Sequence, residues 1–163
     1  MTNRSLPCPR RRREFAAHAT CRQGRPGVLS NASIMEHLHP KQAYEIVAGS
    51  PNTLLIDCRT EVEFYYVGHP LDAINIEWNQ GPDFEPNPHF TDEVLRMAGR
   101  KDRPIILLCR SGKRSVDAGL ELEKNGFTQV SNVLEGFEGA LDAEHHRGTL
   151  GGWRKHGLPW RQV

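Results

Sequence analysis

Pro104–Phe127 reads PIILLCRSGKRSVDAGLELEKNGF, and this stretch decides how the rest of the chain is understood. An apolar run delivers one cysteine, Cys109, into a loop that holds three cations, Arg110, Lys113 and Arg114. An amphipathic segment follows at once. It pairs Val116 with Leu120 and Ala118 with Leu122 at i,i+4, then closes on Gly126 with Phe127 beyond, the order of a glycine C-cap. A short strand that is apolar along its whole length and feeds a helix is a unit of an α/β fold. Its sheet is parallel and covered on both faces.

Working outward from this unit, the same alternation recurs. HPKQAYEIVAG (39–49) places Pro40 at a first helical position and Gly49 at an end. TLLIDCR (53–59) is a second apolar strand. Thr60-Glu61-Val62-Glu63 has capping-box spacing and predicts a short helix to Val67, stopped by Gly68. DAINIEW (72–78) reads as a strand, NQGPDFEPNPH (79–89) as a proline-rich loop and TDEVLRMAGR (91–100) as a helix. QVSNV (129–133) is the last strand, and FEGALDAEHHR (137–147) reads as a last long helix with cationic groups in its final turn.

Length and composition set the outer limits. With 163 residues, 37% of them hydrophobic and 25% charged, the chain suits one domain, taken here as residues 31–163. No apolar run reaches the roughly 18 residues of a membrane span. Residues 1–30 hold seven Arg against one acid, Glu14, whereas the remainder carries a net charge of −5. The mildly acidic body gives a general nucleic-acid role little support. Residues 1–30 read as a disordered basic extension, vector-derived residues or an early start codon, with Met35 a sensible natural start. An export signal or transit peptide ranks below these, because Ala16-Ala17-His18-Ala19 is too short and polar after Arg12-Arg13. Four cysteines without C-x-x-C spacing point to free thiols in a reducing, cytoplasmic compartment.

In an α/β sheet, ligands bind beyond the carboxyl ends of the strands, where Cys109 sits. Backbone N–H groups at the helix start and the charges of Arg110, Lys113 and Arg114 favour thiolate over thiol, and Gly112 lets the loop curl. Cations at a helix N-terminus oppose the dipole, so three of them there imply an arriving anion rather than a solvated face. The loop therefore attacks, or carries a group from, a small anion.

CRSGKRS (109–115), with LIDCRTEVEFYYVGHPLDAINI upstream and NVLEG and GGWRKHGLPW downstream, resembles the rhodanese family of sulfurtransferases over residues 34–160. The resemblance implies a rhodanese-like α/β fold, a five-stranded parallel sheet flanked by helices on both faces. It implies ping-pong sulfur transfer without a cofactor: Cys109 takes the outer sulfur of a donor such as thiosulfate, holds it as a persulfide and passes it to a thiol, cyanide or protein acceptor. Arg110, Ser111, Gly112, Lys113, Arg114 and Ser115 match the family's substrate-binding loop. Asp57 and Arg59 match its Asp-x-Arg, read as a partly buried ion pair that either orients the loop or is purely structural.

Two other classes stay in view. A cysteine phosphatase or arsenate reductase needs five residues between Cys and Arg, and here four separate Cys109 from Arg114. A non-catalytic rhodanese-like binding module typically lacks the cysteine that this chain keeps. The chain departs from the family pattern at Pro70 and Asp72, and it inserts about a dozen residues between Gly136 and Gly151, a candidate lid or docking surface. His145-His146, adjacent on a helix, make no metal site, so no metal is expected. Cys58, one residue from Asp57, should face away from it and fill a core position rather than act as a resolving thiol. His69 bonds locally, and Trp78, Trp153 and Trp160 pack the core or its rim.

Overall fold

The computed structural model describes residues 35–163. In chain order it contains β1 (Glu36–Leu38), α1 (Pro40–Gly49), β2 (Leu54–Asp57), a π-helical turn (Glu63–Val67), β3 (His69–Pro70) and β4 (Ala73–Asn75). It continues with β5 (Asn79–Gln80), β6 (Glu85–Pro86), α2 (Phe90–Ala98), β7 (Ile105–Leu108), α3 (Arg114–Lys124), β8 (Val130–Val133) and β9 (Trp160–Arg161). Five strands form one parallel sheet in the order β1-β8-β7-β2-β4, with β7 at its centre. The disordered extension expected at residues 1–30 lies outside the described residues.

Alternation along β2 and β7 sorts the core into two layers. Leu54, Ile56 and Cys58, with Ile105, Leu107 and Cys109, face Phe90 and Val94 of α2 and Ala118 and Leu122 of α3. Leu55, Ile106 and Leu108 face the other way, against Ala43 of α1 and Phe137, Trp153 and Leu158. Both faces of the sheet are thus dry, and each buried Leu or Ile contributes about 1.5–3 kcal/mol of transfer free energy.

Local signals explain most boundaries. The Glu63 carboxylate accepts from Thr60 N–H (3.1 Å) and Glu63 N–H donates to Thr60 Oγ1 (3.3 Å), so the capping box forms. At the end of α3, Phe127 N–H reaches back to Leu122 O (3.1 Å) over Gly126 at φ +87°, a Schellman closure. Of the two i,i+4 pairs in α3, Ala118 and Leu122 are both buried in the core, whereas Val116 packs against it and Leu120 is exposed.

Two expectations need correction, and one strand is not assigned from the sequence. Residues 137–147 form no helix. Gly136, Gly139 and His145 adopt positive φ, and the Asp142 carboxylate gathers Glu144 N–H, His146 N–H and the Thr149 hydroxyl into a loop. The 79–89 loop contains a small antiparallel hairpin, β5 with β6. The sheet's fifth strand is β1, a short segment with too few residues to show a period.

Candidate active site

The Cys109–Ser115 loop joins the central strand to α3, and its shape follows from where its carbonyls go. Phe137 N–H donates to Cys109 O (2.8 Å), and Glu138 and Gly139 N–H both donate to Arg110 O (2.9 and 3.2 Å). Asn132 Nδ2 donates to Gly112 O (3.3 Å). With the carbonyls turned outward, the amides of Ser111 and Ser115 point inward to the Cys109 sulfur. Ser115 Oγ lies 3.2 Å from that sulfur and 2.6 Å from Asn132 Oδ1, and Asn132 Nδ2 meets His37 Nδ1 at 3.1 Å.

Gly112 makes the curl possible. Its φ is +81°, and a Cβ there would stand 2.0 Å from Leu134 O. Gly112→Ala should therefore cost about 1–3 kcal/mol of stability and move the loop off the sulfur. Slower alkylation of Cys109 together with a lower urea midpoint is the expected pair of results.

Cys109 is nearly fully buried, at 1% exposure, yet its pKa falls from the ordinary thiol value to about 5. The largest cause is a hydrogen bond from the Cys58 thiol; burial opposes it, and the Ser115 hydroxyl and the Ser115 and Ser111 amides add to the lowering. Cys58 itself is pushed well above the ordinary thiol range, first by burial and then by its bond to Cys109. The two neighbouring thiols are thus pushed in opposite directions, Cys109 toward ionisation and Cys58 away from it.

The three loop cations divide into two kinds. The Arg110 side chain is 47% exposed, and Lys113 is exposed. Arg114 instead makes a bidentate pair with Glu63, Nη2 to Oε1 at 2.7 Å and Nη1 to Oε2 at 2.8 Å. Burial raises the Glu63 pKa, but the Arg114 hydrogen bond and charge outweigh it, so the carboxyl lies below its usual range. Arg114 thus braces the loop against the π-helical turn rather than facing outward for an anion.

Asp57 and Arg59 are fully, not partly, buried, at 0% exposure for both side chains. Arg59 Nε and Nη2 donate to the Asp57 carboxylate (2.9 and 2.6 Å), Nη2 also reaches Gly68 O (2.6 Å), and the guanidinium lies 4.3 Å over the Phe137 ring. These contacts reach the loop indirectly, through the segment whose amides hold the Cys109 and Arg110 carbonyls.

Other candidates fall away from the loop. His145 and His146 are exposed. His69 bonds Phe64 O through Nδ1 (2.9 Å) and stacks on the Phe64 ring. Among the described residues, His39, Glu135 and His156 bring their ligand atoms within 4.8 Å of one another, a grouping with no adjacent-His signature in the sequence. Glu135 accepts from Gly152 N–H and pairs with both imidazoles, fastening α1, the end of β8 and the C-terminal segment together. A hollow lined by Pro104, Ile105, Gln129 and Val130 among others sits at the amino ends of β7 and β8, opposite the cysteine.

Residues 39–143 match the rhodanese-like domain. The chain belongs to that family. Protein RC0915 of Rickettsia conorii is 32% identical over 133 residues, covering 78% of this chain and 98% of that one. Thiosulfate sulfurtransferase 16, chloroplastic, of Arabidopsis thaliana is 35% identical over 106 residues, 64% of this chain and 76% of that one. The crystal structure of Rv0390 from M. tuberculosis superposes with a TM-score of 0.69 at 41% identity, over 80% of this chain and all of that one. The rhodanese-like domain here has the five-stranded parallel sheet expected from sequence, and no helix of its described residues is long and apolar enough to cross a membrane.

Proposed function

We propose that this rhodanese-like domain is a sulfurtransferase that moves a sulfane sulfur through a persulfide on Cys109. The thiolate attacks the outer sulfur of thiosulfate or a similar small anion. The donor's S–S bond breaks, sulfite leaves with the electron pair, and Cys109 holds the sulfur as Cys–S–S⁻. A thiol, cyanide or a protein nucleophile then attacks the terminal sulfur and regenerates the thiolate. Exposed Arg110 and Lys113 receive the donor, and the Ser111 and Ser115 amides hold the sulfur charge. The chemistry needs neither metal nor cofactor, and neither nucleic acid nor membrane enters it. A reducing compartment such as the cytoplasm suits the free Cys58 and Cys109.

The observation that carries this reading is the convergence of amide, hydroxyl and thiol donors on one sulfur with a pKa of about 5. Phosphate chemistry is disfavoured because Arg114, which such a mechanism would need on the substrate, is committed to Glu63. The thiosulfate sulfurtransferase of Arabidopsis thaliana supports the sulfur reading by likeness. Purified protein should form thiocyanate from thiosulfate and cyanide and should leave an aryl phosphate untouched. The opposite pair of results would reverse the assignment, and binding without turnover of either would favour a carrier or docking module.

A pH profile tests the electrostatics. The Cys109 pKa is lowered, so the reactive thiolate persists above about pH 5 and is lost below it. Alkylation by iodoacetamide should rise through about pH 5 and level off well before 9, whereas an ordinary thiol is only a few per cent ionised at pH 7. Cys58→Val, which removes the largest lowering contribution, should shift the midpoint upward. Cys58→Ser, which keeps a donor, should shift it less.

A further inference from the structure

Cys58 is a buried thiol that takes no covalent part in the transfer chemistry. Its position is fixed by the ladder. Asp57 pairs with Leu108 in the β2–β7 register, so the next rung sets Cys58 beside Cys109. Cys58 N–H donates to Leu108 O (2.8 Å), and Cys58 O accepts from Trp78 N–H (3.1 Å), which holds its backbone from both sides. The two cysteines point to the same face, lie in the same core layer and are 0% and 1% exposed. Neighbouring strands run about 4.8 Å apart, inside the roughly 4.4–6.8 Å Cα window of a disulfide. The two sulfurs stand close enough to shift each other's ionisation, and forming the disulfide closes the gap between them to a length of about 2 Å.

We propose that Cys58 is a resolving thiol that closes a Cys58–Cys109 disulfide when a peroxide oxidises the catalytic sulfur. In the first step the Cys109 thiolate attacks a peroxide oxygen. The O–O bond breaks, the sulfur loses two electrons and becomes a sulfenic acid, and the departing oxygen leaves as water or an alcohol after taking up a proton from solvent. In the second step the Cys58 sulfur attacks the Cys109 sulfur. The S–O bond breaks, and the Cys58 proton departs with the hydroxide as water. An external dithiol restores both thiols by exchange. Resolution inside the core competes with a second oxidation to sulfinic acid, which thiols do not reverse.

The bland role for Cys58 is a small apolar filler. A filler has no need to stand on the rung beside the reactive sulfur. The two readings diverge under oxidation. Cys58 stays protonated and inert by itself, so the reaction begins only where Cys109 has reacted first.

The test treats reduced full-length protein with one to a few equivalents of hydrogen peroxide, then alkylates, digests and weighs the peptides. The expected product is a cross-link between the peptides holding Cys58 and Cys109, about 2 Da below their sum and released by dithiothreitol. After reduction, wild type should regain its iodoacetamide-reactive Cys109, whereas Cys58→Ser, which preserves size and a donor, should regain about tenfold less and carry sulfinic acid at 109. Sulfinic acid at Cys109 in wild type with Cys58 still alkylatable on denaturation would overturn the proposal. So would a cross-link from Cys109 to Cys8 or Cys21, or equal recovery in wild type and Cys58→Ser. None of these readouts uses sulfur transfer, so they stand or fall apart from the function proposed above.

Discussion

Cys109→Ser is expected to abolish thiocyanate formation, a fall of at least about 10³-fold, while the urea midpoint stays near that of wild type. The reason is chemical. A serine hydroxyl remains protonated in the nest that ionises a thiol at about pH 5, and an oxygen in its place cannot carry the transferred sulfur as a persulfide. The fold should tolerate the change because the smaller hydroxyl keeps the same donors, the Ser111 and Ser115 amides and the Cys58 thiol. Retained turnover in a well-folded Cys109→Ser protein would remove this residue from the mechanism.

The second large effect is structural. Asp57→Ala should lower stability by about 3–5 kcal/mol, because it leaves the Arg59 guanidinium buried with no counter-charge bonded to it. The geometry sharpens this expectation: Arg59 Nη1 already lacks a hydrogen-bond partner and stands 3.9 Å from Glu138 Oε1, so it has little in reserve. The double change Asp57→Leu with Arg59→Met should recover much of the loss, since replacing a buried pair by apolar groups is often near neutral. Urea unfolding of the three proteins checks both statements. A loss below about 1 kcal/mol for Asp57→Ala would place the pair in the class of surface ion pairs, against its complete burial.

How far these features can be read from the chain depends on which of them are local. The β7–α3 unit is legible because its strand, glycine cap and helix period all lie within Pro104–Phe127. The box at Thr60–Glu63 is legible for the same reason. Its second use is not: Glu63 bracing Arg114 joins residues that only the fold brings together. Cys58 shows the limit most clearly. Alternation alone puts it opposite Asp57 and in the core, as found. That it touches Cys109 requires knowing that β2 lies next to β7 and in which register, and period-two patterning carries neither fact. The 137–147 segment misleads for a physical reason. Its composition suits a helix, but Gly136 and Gly139 in positive φ aim the Phe137, Glu138 and Gly139 amides at the active-site loop. Asn132 is equally silent in sequence, an ordinary strand residue whose amide props the Gly112 carbonyl.

The most direct measurement is the mass of the peptide holding Cys109 after brief exposure to thiosulfate and trapping with an alkylating reagent. A sulfur atom retained on that residue, about 32 Da above the alkylated control and removed by cyanide, is the expected finding. An unmodified Cys109 peptide, from protein whose thiol still alkylates rapidly at neutral pH, would contradict it.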